Sequence, residues 1–222
     1  MSDYILSVDN LHKIYTHGRF HKEVTFSLRV DMRFAEAAII GVMGANGAGK
    51  TTLFEIITGS NPPTSGRVYC LGQNIHNVKY NERDRLVIHY HQSYQVRRLK
   101  WTKPNLMLEA ANSNYPIIHL FDEPQFNTQD GYIGFMLDFF KSLRRSGKLI
   151  FVSLHPTEIY HLQLVREICE QFIFVHHDQI DRSIRQYRSW EAFVGDDDVR
   201  QYLGANLEAY ERQTMSPGQE VQ

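Results

Sequence analysis

Apolar and polar positions alternate in "YILSVDN" (residues 4–10) and again in "EVTFSLRV" (23–30). Period two of this kind predicts half-buried antiparallel strands near the N-terminus. The alternation stops at "AAIIGVM" (37–43), a nearly continuous apolar run. A strand covered on both faces has that pattern, because neither face meets water. The next run, "KTTLFEIITG" (50–59), predicts a helix that begins near Gly49 and closes at Gly59. "NPPTSG" (61–66) reads as a loop and "GRVYCLG" (66–72) as a strand after it. "RLVIHYH" (85–91) reads as a further strand, and "KPNLMLEAANSN" (103–114) as a helix with Pro104 in its first turn.

The same rhythm continues to the end of the chain. "IIHLF" (117–121), "KLIFVS" (148–153) and "QFIFVHHDQI" (171–180) predict strands. "YIGFMLDFFKSLRRSG" (132–147) and "PTEIYHLQLVREIC" (156–169) predict amphipathic helices between them, and "MSPGQEVQ" (215–222) a loose tail. Strands alternating with helices imply an α/β fold with a mostly parallel sheet and helices on both faces.

Composition narrows the picture. A chain of 222 residues suffices for one substantial domain. Its 24 basic and 25 acidic side chains leave a formal net charge of -1, which argues against nucleic acid as the main partner. Cys70 and Cys169 make no disulfide framework and fit a reducing compartment. The N-terminus, with Asp3 and Asp9, does not read as a signal peptide, and no apolar stretch is long enough to span a bilayer.

Candidate chemistry concentrates in "GANGAGKTT" (44–52), which satisfies GxxxxGK[ST]. Glycines let the backbone curl so that successive N–H groups point at phosphate oxygens. Lys50 adds positive charge at the β- and γ-phosphates, and the Thr51 hydroxyl can ligate Mg²⁺. The helix that starts there favours the same negative charge. Gly44, Asn46, Gly47, Ala48, Gly49, Lys50, Thr51 and Thr52 therefore form the candidate nucleotide-binding set.

The stretch "GVMGANGAGKTTLFEIITGSNPPTSGRVYCLGQNI" (41–75) resembles the ATP-binding subunit of ABC transporters, as does the opening "LSVDNLHKIY" (6–15). "DDDVRQYLGANLE" (196–208) resembles the C-terminal end of the branched-chain amino acid and lipopolysaccharide-export subgroup. The resemblance implies a P-loop NTPase core with an N-terminal antiparallel β-subdomain, in one domain over residues 1–208 with a tail from 209 to 222. It implies ATP and Mg²⁺ as ligands. Tyr15 takes the position of the aromatic that stacks on adenine; the alternative is a tyrosine packed at a strand end. In "IIHLFDEP" (117–124), Asp122 takes the Mg²⁺ position and Glu123 that of the general base. His155 takes the switch-histidine position facing the γ-phosphate. Gln92 fits the glutamine loop that senses the metal and the attacking water, with Gln95 as its rival.

The resemblance also exposes a departure. In the family, several dozen residues of helical lobe and an LSGGQ signature follow the glutamine loop. Here only 30 positions separate Gln92 from Asp122. The helical subdomain is therefore expected to be absent, deleted between about residues 93 and 98. The signature position falls on "RLKWTK" (98–103), with Lys100 and Trp101 where a small hydroxyl and bare backbone belong. "QFNTQD" (125–130) puts Gln129 at the position of an expected aspartate and Asp130 one later. ATP binding with weak or partner-dependent hydrolysis follows. The implied partners are an integral membrane permease and a second copy or a paired ABC ATPase, at a cytoplasmic location peripheral to the membrane. An ATP-switched regulatory or assembly protein is the alternative.

Other signals weigh less. Arg85, Arg97, Arg98 and Lys100 interleaved with Tyr90, Tyr94 and Trp101 read as a solvated loop rather than a nucleic-acid surface. His89 with His91, and His176, His177 and Asp178, lack the further ligands of a metal site. Asp196–Asp198 is expected to cap the helix that follows it.

Overall fold

In the computed structural model, residues 3–18, 21–90, 116–124 and 132–215 are described. Their strands form a single ten-stranded sheet in the order β5-β4-β1-β2-β10-β9-β3-β8-β7-β6. The block β9-β3-β8-β7-β6 is parallel throughout. It comprises β3 (Ile39–Met43), β6 (Val87–Tyr90), β7 (Ile118–Asp122), β8 (Leu149–Ser153) and β9 (Gln171–Asp178). The other end is an antiparallel meander of β1 (Leu6–His17), β2 (Glu23–Phe34), β4 (Ser65–Cys70) and β5 (Gln73–Asn74). The two parts join through β10 (Asp181–Tyr187), which is antiparallel to β9 and parallel to β2. A mostly parallel core with an N-terminal antiparallel β-subdomain is the architecture expected from the sequence.

The continuous apolar runs have the predicted cause. Along β3, Ile40 and Val42 enter one core while Ile39 and Met43 enter the other. Along β8, Leu149 and Phe151 alternate in the same way with Ile150 and Val152. Both faces of these strands are dry, so the runs are apolar up to Ser153 at the end of β8. The first core takes Leu53, Phe54, Ile56 and Ile57 of α1 (Lys50–Ile57). The second lies under α3 (Tyr132–Arg145), α4 (Ile159–Ile168), α5 (Trp190–Val194) and α6 (Asp197–Met215).

Some expectations shift. In "RLVIHYH", Arg85 and Leu86 end α2 (Tyr80–Leu86), and the strand begins only at Val87. Leu86 and Val87 are both buried, so the chain turns from helix to strand without an apolar break for the pattern to mark. The boundary drawn at 208 falls inside α6, which runs on to Met215. Leu207 and Tyr210 bury against the second core, and Arg166 Nη1 donates to the Tyr210 hydroxyl at 2.6 Å. The helix predicted over 103–114 and the lobe deletion near 93–98 lie outside the described residues.

Phe151 is fully buried, edge-on to Phe34 at 5.3 Å and to Phe54 at 6.4 Å. Phe151→Ala is expected to destabilise the fold by about 3–5 kcal/mol, as buried aromatic truncations do. The shift in urea midpoint at constant slope measures it; a loss below about 1 kcal/mol would mean that this centre is not packed as described.

Candidate phosphate-binding site

The carboxyl ends of β3, β7 and β8 meet at one point. The register aligns Val42 with Ser153 and Ser153 with Asp122, so whatever follows each strand converges there. After β3 the chain enters the glycine-rich loop. Gly44 has φ 152°, and a Cβ there would stand 2.6 Å from the Val175 carbonyl oxygen. Gly49 caps α1 at φ 105°, with Phe26 3.1 Å from where its Cβ would be. A side chain fits neither position. Behind Gly49, α1 presents its first amides toward the loop, where a helix has no internal acceptors for them.

Lys50 is only 5% exposed. Its Nζ donates to the Gly44 oxygen at 2.7 Å and the Ala45 oxygen at 3.2 Å. Burial lowers its pKa, and the nearby charges of Glu123 and Asp122 only partly restore it. An ammonium penalised in this way gains from meeting a polyanion. The adjacent Thr51 Oγ1 donates to Asp122 Oδ2 at 2.8 Å.

Asp122 is 4% exposed at the end of β7. Burial alone would raise its pKa. His89, Thr51 and Ser153 outweigh that as donors and hold the carboxyl below its usual range. Ser153 Oγ donates to Oδ1 at 3.0 Å, and His89 Nε2 lies 3.5 Å from Oδ2. Glu123 follows with φ 48°, a conformation non-glycine residues rarely hold, and its N–H donates to the Ser153 carbonyl at 3.2 Å. Among the described residues no three His, Cys, Asp or Glu converge as a metal cage. A divalent ion at Thr51 and Asp122 would therefore draw most of its ligands from phosphate and water, which suits Mg²⁺.

His155 is exposed just past β8, and its Nδ1 lies 3.0 Å from the Tyr202 hydroxyl. Tyr15, on β1, is 38% exposed. Its ring tilts against Phe26 at 5.2 Å, and its hydroxyl accepts from Asn61 Nδ2 at 2.6 Å. Gln92 and its rival Gln95 lie outside the described residues, as do 98–103, Gln129 and Asp130.

The structure thus brings together Gly44–Thr52, Asp122 and Glu123. Four neighbours were not picked out from the sequence. His89 was weighed only as a metal ligand, whereas the register His89↔Leu120 carries it to Asp122. Ser153 ends an apolar strand and was not singled out. Arg182 donates from Nε to the Gly47 carbonyl at 3.3 Å, with its guanidinium 4.3 Å from the Phe26 centroid. Tyr202 belongs to α6, 158 positions after Gly44. The polar end of an apolar strand is a usable signal for Ser153; nothing local marks Arg182 or Tyr202.

Comparison with known proteins places the fold and the family. The translational throttle protein EttA of Escherichia coli K12 is 37% identical over 75 residues, covering 34% of this chain and 12% of EttA. The lipoprotein-releasing system ATP-binding protein LolD of Francisella tularensis subsp. holarctica (strain OSU18) is 29% identical over 86 residues, covering 39% of this chain and 36% of LolD. The matches thus span well under two thirds of these curated relatives. A nucleotide-free ATP-binding cassette from an ABC transporter superposes with TM-score 0.65 at 16% identity, over 91% of this chain and 99% of the other. The dimeric cassette MJ0796 bound to ADP and Pi superposes with TM-score 0.61 at 18% identity, over 82% and 98%. Identities this low speak for the fold. The ABC transporter family itself matches residues 28–220. A phosphate loop joined to an acidic strand end, in a cassette fold matched over most of its length, means that this chain belongs to the ABC transporter family as an ATP-binding cassette.

Proposed function

We propose that this chain binds Mg·ATP at residues 44–52 and serves as the ATP-binding subunit of a membrane transport system, with hydrolysis that is weak or dependent on a partner. The observation that carries it is the buried Lys50, held on the loop beside Asp122 and Glu123, with Thr51 bonded to Asp122. Lys50 and the loop amides of Asn46 to Thr52 receive the phosphates. Thr51 and Asp122, with Gln92, hold Mg²⁺, which neutralises phosphate charge when bound. Tyr15 offers the adenine its exposed ring. Glu123 accepts the proton of the attacking water as the water oxygen bonds the γ-phosphorus and the bond from that phosphorus to the ADP oxygen breaks, and His155 faces the γ-phosphate.

Weak turnover follows from the sequence between Gln92 and Asp122. We read 1–208 as one ATP-binding domain whose helical lobe is deleted near 93–98, and no Ser-Gly-Gly triplet occurs in the chain. Trp101 denies the close backbone approach that glycine permits. Lys100 supplies only a point charge. Loss of preorganised donors at a transition state costs about 10²–10³ in rate each. Dimeric relatives such as MJ0796 support action as a homodimer or a pair. Among the described residues no helix is long and apolar enough to cross a membrane. A permease would hold the chain at the cytoplasmic face.

The likeness to EttA, named as an energy-dependent translational throttle protein, favours a second reading. In it, ATP switches a regulatory state without transport. Purification with co-expressed candidate permeases separates the two: membrane recovery supports transport, and an ATP-dependent change of oligomeric state without membrane recovery supports the switch.

Lys50→Ala is expected to weaken Mg·ATP binding about 10- to 100-fold in titration calorimetry, the range of hydrogen bonds to charged groups. Wild-type affinity in that variant would remove the site from the loop. Turnover by the purified protein alone is expected to be slow and non-cooperative; brisk, cooperative hydrolysis would refute the reading of the signature segment.

Asp122 also sets an acid response. Its folded pKa is depressed, so its contribution is complete above the ordinary carboxylate pKa near 4 and is lost as pH falls through the lower folded value. Between about pH 5 and pH 3, wild type should lose stability relative to Asp122→Asn. Parallel urea midpoints of the two proteins would contradict this.

A further inference from the structure

The C-terminal helix reaches His155, just past the end of β8. Its start is anchored: Asp196 Oδ1 accepts from the Asp198 and Val199 amides, and Oδ2 from the Tyr187 hydroxyl at 2.8 Å and Arg185 Nη1 at 3.0 Å. Further along, Gly204 breaks α6 with φ 51° and ψ -133°. A Cβ there would touch nothing within 4 Å, so conformation, not space, calls for glycine. The break separates two grips on one segment. Before it, the Tyr202 hydroxyl meets His155 Nδ1 at 3.0 Å. After it, Asn206 Nδ2 donates to the Pro156 carbonyl at 3.2 Å.

Tyr202 carries its hydroxyl to His155 from α6. Burial pushes the phenol up to about 12; the Gly44 amide opposes that shift and the nearby Glu123 charge adds to it. The hydroxyl therefore keeps its proton at neutral pH. Of the two partners the phenol is the stronger donor and an imidazole nitrogen the stronger acceptor, so the hydroxyl 3.0 Å from Nδ1 is set to donate to it. In that arrangement Nδ1 is bare and the imidazole proton sits on Nε2. The ring of Tyr202 packs on Phe174 at 5.5 Å and is tilted against His155 at 5.9 Å, so the hydroxyl is held on a fixed support.

We propose that Tyr202 is a positioning residue that locks His155 in its Nε2–H tautomer, so that the C-terminal helix sets the state of the γ-phosphate corner. What His155 faces rests on the nucleotide reading above; the tautomer does not. The lock makes His155 a directed hydrogen-bond donor rather than a freely rotating ring, and it makes that donor depend on how α6 is seated.

Tyr202→Phe keeps the ring on Phe174 and removes only the hydroxyl. In long-range 1H–15N spectra of histidine-labelled protein, with His155 assigned from its loss in His155→Ala, wild type is expected to show Nε2 protonated and Nδ1 accepting. In Tyr202→Phe, both nitrogens should move toward a two-tautomer average. An Nδ1–H tautomer in wild type, or unchanged shifts in the variant, overturns the lock. In single-turnover assays, Mg·ATP affinity should stay within about twofold while the rate falls about five- to tenfold, the size of one neutral hydrogen bond. The fall should vanish in a His155→Ala background; an equal fall there, or weakened affinity instead, also overturns it. Should the protein bind no Mg·ATP at all, the nucleotide reading fails, and the spectra still decide the tautomer.

Discussion

Three elements that are far apart in sequence share one carboxylate. Asp122 ends β7, accepts from Thr51 at the start of α1 and from Ser153 at the end of β8, and stands beside His89 of β6. The Thr51 hydroxyl ties the helix after the phosphate loop directly to the end of β7. The arrangement is possible because parallel pairing puts the carboxyl ends of neighbouring strands on one edge, where an α/β sheet places its ligand crevice. A buried carboxylate without donors would be costly. Here donors keep it ionised, and the ionised group in turn orients Thr51 and lies close to Lys50.

That site is supported from both faces. The first core holds α1 through Leu53, Phe54, Ile56 and Ile57, so the helix start cannot drift from the loop. The second core seats α6, whose Tyr202 reaches His155 just past β8. The antiparallel end of the sheet contributes the rim: β1 carries Tyr15, β2 carries Phe26 and β10 carries Arg182, whose Nε bonds the Gly47 carbonyl. One sheet thus delivers a cation, a carboxylate pair, an aromatic rim and a histidine to a single edge. Phosphoryl chemistry asks chiefly for such positioning.

Much of this was legible beforehand for a physical reason. Burial on both faces writes itself into a strand as an unbroken apolar run, and amphipathic helices write themselves as period 3.6. The phosphate loop is local, so its glycines, lysine and threonine appear together. "IIHLF" followed by Asp122 and Glu123 is equally compact. The limits α2/β6 and 208 were misplaced because at those points burial continues across the boundary and the pattern does not change. Short β10 and α5 carry mixed polar faces, and the pattern did not single them out.

The amino-acid order by itself therefore determined the α/β class, the strands with two dry faces, the phosphate loop and the acidic strand end, because each depends on residues adjacent in the chain. Only the tertiary structure decided that His89 and Ser153 stand at Asp122, that Arg182 bonds the Gly47 carbonyl, and that Tyr202 meets His155. These meetings depend on strand order, register and the seating of a distant helix. No local run of residues encodes such contacts, because what brings the groups together is the packing of whole elements.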